Sequence, residues 1–457
     1  MTWEGSQVRI LYRALLRSSL SSELRSASTK FEIDFRFAQQ IFNNVTTHMI
    51  TLGIETSCDE TALALIESRE VNGKTEYRVI NSLVHSQAEL HSAYGGVYPN
   101  LAKREHAKNI VPLLHKLLID SKDILENINQ QKTEPSHKNL NEFMSTYSAI
   151  NSGQNVELWQ SLKDAKFLEN KPPIDRIAVT EGPGLEPALW VGIVFARFIG
   201  TLWDCPVIPV NHMEGHIIGS LLPSDKPYGA WQGLYEAKMP SIALLISGGH
   251  TELVLVENRQ NGQTNPDFSY RIIGQTRDDA VGEAFDKTAR VMGLPYPGGP
   301  HISMLAEQAR IENIRSNITL PRPMINTNDF DFSFSGLKTA VLYAVRDANK
   351  NNNSSLSDEF KKGLAREFEE VVGDVIKTKI SKVIHEKNMH SIIVGGGVSA
   401  NNYLREILKE IAVKNNLEIY LPSKHISGDN ALMIAVVGSM KELHKGEIVA
   451  DGTKRIE

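Results

Sequence analysis

Two strand–turn–strand units, roughly 190 residues apart, constrain this fold more than any other feature of the chain. Ile50-Thr51-Leu52-Gly53-Ile54-Glu55 has the short apolar character of a buried strand. A polar turn, Thr56-Ser57-Cys58-Asp59-Glu60-Thr61, follows, and a second apolar run extends from Ala62 to Ile66. The design recurs as Ile242–Ile246, the turn Ser247-Gly248-Gly249-His250-Thr251 and the returning strand Leu253–Val256. Such repetition predicts two related α/β halves facing each other across a cleft.

The intervening sequence fills in that outline. A helix is expected from Leu101 to Leu118, then a stretch from Asp120 to Lys171 that is rich in Asn, Gln, Ser and Lys. Its weak apolar periodicity predicts a surface insertion. The fold resumes with a strand at Ile174–Thr180, the turn Glu181-Gly182-Pro183-Gly184, a helix from about Leu189 to Trp203 and a strand at Val207–Val210. A second low-complexity break, Asp347–Ser357, separates helices in the later half.

A chain of 457 residues is long enough for two or three domains. No apolar run approaches the roughly 18 residues of a membrane span. Its net charge of −5 gives no overall basic footprint, so an RNA partner needs local Lys and Arg patches. Lys103, Arg104, Lys108, Lys338, Lys361 and Lys362 are the candidates, with an ordinary solvated face as the alternative. Two cysteines, Cys58 and Cys205, do not make a disulfide framework and fit a reducing compartment. The leader carries Arg9, Arg13, Arg17, Arg25 and Arg36 in a Ser- and Leu-rich background, the composition of a mitochondrial transit peptide. Glu4, Glu23, Glu32 and Asp34 count against that reading, and a disordered leader is its alternative.

His212-Met-Glu-Gly-His216 follows the strand at Val207–Val210. Imidazoles four residues apart share one face of a helix and can reach one divalent cation. H-E-x-x-H metalloproteases use the same spacing but place their base directly after the first His. Glu214 sits two positions on, about 200° around the helix. Chance spacing is the plain alternative. Asp429, just ahead of an apolar helix from Ala431 to Met440, is either the cap of that helix or a carboxylate partner for the pair.

Glycine-rich turns mark a second site. Ser247–Thr251 offers unobstructed backbone amides suited to a phosphate, or a plain hairpin turn. Gly395-Gly396-Gly397-Val398-Ser399-Ala400-Asn401-Asn402 lies between the strand Ser391–Val394 and a helix from Tyr403 to Val413, a nucleotide-binding order. Asn401 suits a ribose or base, or a helix cap. Asp279, Glu283 and Asp286 fall at i, i+4 and i+7 on one helical face, which is usually solvated. Pro297-Gly298-Gly299-Pro300 reads as a rigid turn.

Seven of these segments occur together in a recognisable order: Gly53–Thr61, His212–His216, Ser247–Thr251, Gly282–Lys287, Phe334–Lys338, Gly396–Asn401 and Gly428–Asn430. Over about residues 50 to 445 the chain resembles the universal tRNA N6-adenosine threonylcarbamoyltransferases. This is the TsaD family, once called O-sialoglycoprotein endopeptidases. The resemblance implies an actin/hexokinase-like α/β fold of two duplicated lobes around a cleft. It implies a presequence at 1–48, a first lobe at 49–238 with its insertion at 120–171, a second lobe at 239–430 and a C-terminal helix in 431–457 returning to the first lobe. Carried over by motif, His212, His216 and Asp429 hold one divalent metal ion, zinc or iron. Leu245, Ile246, Ser247, Gly248, Gly249, Asp286, Gly299, Ser303 and Asn401 bind the donor threonylcarbamoyl-AMP, whose site ATP or AMP can also occupy. Position 303 is often Asp in the family and is Ser here. The acceptor is tRNA, the donor comes from a separate synthase, no membrane is involved, and the mitochondrial branch implies a homodimer in the matrix. A metal-dependent glycoprotease, an ATPase or sugar kinase on the same fold, and a noncatalytic scaffold are the rival readings.

Overall fold

The computed structural model describes residues 48–129, 140, 144, 156–223, 226–259, 267–351 and 356–456. The Arg-rich leader lies outside these residues. β1 (Met49–Glu55), β2 (Glu60–Val71) and β3 (Lys74–Ser86) form an antiparallel meander. β4 (Arg176–Gly182) joins β1 in parallel, β5 (Val207–Asn211) joins β4, and β6 (Trp231–Gly233) completes the order β5-β4-β1-β2-β3-β6. The second sheet repeats the plan. β7 (Ser241–Ile246), β8 (Thr251–Asn258) and β9 (Phe268–Gln275) are the meander. β10 (Ser391–Gly395) runs parallel to β7 and β11 (Glu418–Tyr420) to β10, giving β11-β10-β7-β8-β9. Five strands in one order, with the same parallel and antiparallel partners, make this the duplicated α/β architecture of the actin/hexokinase-like fold.

β1 and β7 are buried almost throughout, as expected of strands covered on both faces. On the outer side of the first sheet lies a helical layer. α1 (Ala88–Ser92) leads into it; α2 (Pro99–Asp120), α3 (Lys122–Asn129), α4 (Val156–Lys163) and α5 (Glu186–Trp203) build its core. Here the sequence reading of 120–171 as a surface insertion is corrected. Leu140, Leu158, Leu162 and Leu168 are fully or almost fully buried in this core. Leu158 and Leu162 share one face of α4 at i and i+4, too brief a repeat to stand out, and all four leucines join the core that α2 and α5 build.

α6 (His212–Ser220) leaves β5 directly. On the outer side of the second sheet, α7 (Val281–Val291), α8 (Gly298–Ile311), α9 (Ser335–Asn351), α10 (Asp358–Lys387) and α11 (Asn402–Lys414) share another apolar core. α12 (Ala431–Met440) then crosses back, so that α6 and α12 form a middle layer between the two sheets. Gly53 permits this crossing. A Cβ there would lie 2.2 Å from the Ala431 carbonyl oxygen and 2.8 Å from the Ala435 nitrogen. Residues 441–456 contain no helix; their backbone threads along the first lobe, where Asp451 donates to the Glu181 carbonyl.

Candidate active site

The carboxyl ends of β1, β5, β7 and β10 converge on the middle layer, the position where open α/β sheets place ligands. β5 ends at Asn211, whose side chain accepts from the Met213 and Glu214 amides and starts α6. That cap puts His212 and His216 at the head of the helix, both buried. Asn430 caps α12 through the Met433 amide. The structure thereby resolves the two readings of Asp429: its neighbour is the cap, and its carboxylate faces the histidines.

His212 Nε2 lies 3.3 Å and His216 Nε2 3.2 Å from Asp429 Oδ1. One ligand atom from each residue falls within 4.8 Å of the others. Two ligands about 2.0–2.1 Å from a tetrahedral ion are separated by about 3.3 Å, so the donor set fits a divalent cation. Glu55 stands behind His212. Its Oε2 accepts from His212 Nδ1 at 3.0 Å and from the Thr180 hydroxyl at 2.6 Å, while Oε1 accepts from the Ser57 amide at 2.5 Å. Held in this way, His212 turns Nε2 toward Asp429.

Burial opposes charge on each of these groups, but the arrangement decides the outcome. For His212, the carboxylates of Asp429 and Glu55 outweigh burial and hold its pKa well above the ordinary histidine value. Asp429 is pulled well below the carboxylate range by the two histidines despite its burial. For His216 burial dominates, and its pKa is lowered.

Glu214 is held by Lys441 at 2.6 Å, so no general base of the zincin kind faces the pair. Burial and the nearby carboxylates of Asp59 and Asp429 push the Cys58 thiol up, away from a reactive thiolate.

Beside the trio opens a cavity of about 580 Å³, within the range of small-molecule sites. Gly248, Asp286, Gly299, Ser303 and Asn401 all line it; Ser247 and Gly249 are not among its lining residues. Leu245 and Ile246 are wholly buried core residues of β7. A Cβ at Gly248 or Gly397 would meet no protein atom within 4 Å, so the space these glycines leave belongs to the cavity. Gly395 links the two parts of the site, since a Cβ there would lie 3.0 Å from that of His216.

Other expectations are revised. α7 begins at Val281, so Asp279 precedes the helix instead of sharing a face with Glu283 and Asp286. Lys287 bridges Asp279 at 2.7 Å and Glu283 at 3.0 Å, whereas Asp286 points inward and accepts from the Gly298 amide at 2.7 Å. Burial raises the Asp286 pKa even against the Gly298 and Gly299 amides. The Pro297–Pro300 turn is the start of α8. A 3-10 turn, Gly397–Ala400, separates β10 from α11. Asn401 both caps α11 through the Leu404 amide and spends its own amide hydrogens on Ser303 Oγ (2.7 Å) and Glu369 Oε1 (2.6 Å). Lys362 is not a free cation, since Glu312 (2.9 Å) and Asp358 (2.8 Å) hold it.

Sequence reasoning missed Glu55 as a partner of the trio and Glu369 as a wall of the cavity. A carboxylate at the end of the first strand was a usable signal for Glu55. Nothing local marks Glu369 within the long helix α10.

The family model described as tRNA N6-adenosine threonylcarbamoyltransferase matches residues 78–130 and 159–436. The chain belongs to that family. A protein of that description from Polynucleobacter necessarius is 38% identical over 401 residues, covering 87% of this chain and 93% of the relative. One from Chromobacterium violaceum is 36% identical over 393 residues, 86% and 93% of the two chains. Membership makes the protein an acyltransferase. Among solved structures, the activator of the 2-hydroxyisocaproyl-CoA dehydratase from Clostridium difficile overlaps 85% of this chain and 94% of its own at a TM-score of 0.38 and 12% identity, too distant to bear on function. No helix among the described residues is long and apolar enough to cross a membrane.

Proposed function

We propose that the protein moves the threonylcarbamoyl group of threonylcarbamoyl-AMP, made by a separate synthase, onto N6 of the adenosine immediately 3′ of the anticodon. The substrates on this reading are tRNAs for codons beginning with A, and the site of action is the mitochondrial matrix. The observation that carries it is the trio of buried His212 and His216 with half-buried Asp429, beside a glycine-floored cavity in a member of this family.

In the transfer, a bond forms between N6 and the carbamoyl carbon while the bond from that carbon to the phosphate oxygen breaks. AMP departs with the bonding pair on its phosphate oxygen, and the proton from N6 passes to water. His212, His216 and Asp429 would hold a divalent ion, zinc or iron, which supplies Lewis-acid polarisation of the carbonyl when bound. Glu55 accepts from His212 Nδ1 and so keeps its Nε2 turned toward Asp429. The open backbone at Gly248 and Gly397 leaves room for the phosphate and for its growing charge. Asp286 grips the ribose hydroxyls. No Ser or Cys nucleophile enters the scheme.

The test supplies purified protein with threonylcarbamoyl-AMP and a tRNA carrying that adenosine. Modified nucleoside is expected with wild type and absent with His212→Ala; equal product from both sinks the reading. Asp286→Ala should raise the donor KM about tenfold or more and change kcat little. Lower turnover with unaltered donor binding would overturn the ribose assignment. The composition of the leader supports mitochondrial import, and loss of import on deleting residues 1–48 from a reporter fusion is the check. Sedimentation of the purified chain tests the proposed homodimer.

A further inference from the structure

The short loop between α1 and α2 is built, not slack. The carbonyl of His91, a wholly buried residue, accepts from the Tyr94 amide at 3.0 Å and the Gly96 amide at 3.4 Å, and its ring Nδ1 accepts from the Tyr98 amide at 3.4 Å. On this anchored loop stand two exposed aromatic side chains. Tyr94 is 64% and Tyr98 53% exposed, and their rings lie 6.0 Å apart at 23°, close to parallel.

The loop also has a defined place. Gly95 and Gly96 have φ of 67° and 153°, in the region that favours glycine. A Cβ on Gly95 would come 3.3 Å from the Arg290 guanidinium. The bare backbone thus lets Arg290 of the second lobe lie against a loop of the first. Arg290 belongs to α7, one turn beyond the cavity-lining Asp286. The tyrosines therefore stand at the rim of the cleft, beside the donor cavity. Cations stand near the loop. Arg290, exposed, lies against Gly95, and the helix that follows the loop, α2, carries half-buried Lys103 and exposed Arg104 in its second turn. No carboxylate pairs with Arg290 or Lys103 among the described residues, and the contact of Arg104 with Glu157 is long, 3.9 Å.

Aromatic faces with cations beside them fit unpaired RNA bases and their phosphates. We propose that Tyr94 and Tyr98 form a stacking platform for the unpaired bases flanking the target adenosine, with Arg290, Lys103 and Arg104 meeting the adjoining phosphates. This rests on the reading that the acceptor is an RNA loop. It adds how that loop is held, so that one base can be turned into the cleft while its neighbours stay stacked.

Binding of an anticodon stem-loop RNA to the full chain, followed by fluorescence anisotropy, tests the platform. A 2-aminopurine placed next to the target adenosine reports stacking. Tyr94→Ala and Tyr98→Ala should each raise the RNA Kd about 5- to 150-fold and relieve the 2-aminopurine quenching. Tyr94→Phe and Tyr98→Phe should bind within about twofold of wild type, because the ring and not the hydroxyl stacks. AMP binding should be unchanged in all four. Lys103→Gln should weaken RNA binding and flatten its salt dependence by about one phosphate contact, which the tyrosine variants do not. Alanine variants that bind RNA like wild type overturn the platform. So does a loss of RNA binding that tracks dissociation of a wild-type dimer in sedimentation, which would make the face a contact between two copies. Failure of the acceptor reading shows separately, as wild type that yields no modified nucleoside from donor and tRNA.

Discussion

At the scale of single residues, two buried side chains control more than their neighbours do. Glu55, wholly buried, accepts three hydrogen bonds, and the one from His212 Nδ1 turns the ring's Nε2 toward Asp429. Carboxylates behind a metal-ligating histidine commonly change metal affinity 10- to 100-fold. Glu55→Gln keeps the shape but must turn an NH2 group toward either the Ser57 amide or the His212 and Thr180 donors. Zinc affinity measured by competition with a chelating dye should fall in that range. Unchanged affinity would leave Glu55 a mere filler of the strand end. His106 is the other case. Its Nε2 donates to the Cys58 carbonyl at 2.9 Å, leaving Nδ1 to accept from the Thr61 hydroxyl at 2.8 Å. Burial lowers its pKa to about 4, from an ordinary 6.5. Above pH 6.5 the ring is neutral whether the chain is folded or not, so it adds no pH dependence there. Below it the unfolded chain takes up the proton and the folded one does not, so stability is lost between about pH 6.5 and 4. The shift amounts to a loss on the order of 3 kcal/mol across that window. Urea midpoints at pH 7 and pH 5 should show it, and His106→Gln should have a visibly shallower slope.

At the scale of elements, the middle helix α12 depends on the strand beneath it. Gly53 meets the Ala431 and Ala435 backbones more closely than any Cβ allows. Gly53→Ala must therefore push α12 off β1, with a destabilisation of about 1–3 kcal/mol. Because Asp429 lies two residues before Ala431, the same change should weaken metal binding. A variant with wild-type urea midpoint and zinc affinity would show that the layer yields without cost. The sequence made this element plain: α12 spans Ala431–Met440, as the uninterrupted apolar run predicts. β1, β7 and β8 were equally legible from short apolar runs broken by polar turns. α2 begins two residues earlier than its apolar pattern, at Pro99, where a proline starts a helix without losing a bond. The core role of Leu140 was not legible, because its partners lie in other segments, and the single i, i+4 step of Leu158 and Leu162 on α4 was too brief to read. The contact of Glu55 with His212, 157 residues away, leaves only the carboxylate that ends the first strand as a local sign. His212, His216 and Asp429 could be read because spacing and neighbouring motifs are local facts.

At the scale of the whole molecule, the duplication explains why the trio exists only in the folded chain. α6 continues directly from β5 of the first sheet, whereas Asp429 hangs from the chain that leaves β11 of the second. Both reach the middle layer, where an apolar core made from the inner faces of the two sheets surrounds α6 and α12. An ion held by these three residues thus ties the two lobes together, and an unfolded chain has no equivalent site. Binding to the folded state alone stabilises by about 2.7 kcal/mol at a free ion concentration one hundred times Kd. Chelation should therefore lower the thermal midpoint of the wild-type protein, and added zinc should restore it. His216→Ala should start from the lower midpoint and respond to neither treatment. A hold across the lobes should also show in limited proteolysis, with chelation speeding cleavage of wild type and leaving His216→Ala unaffected. If chelation leaves both the midpoint and the cleavage rate of wild type where they were, the trio does not clasp the lobes through a metal. Its charges would then have to be balanced by the proton that Asp429 and Glu55 already favour on His212.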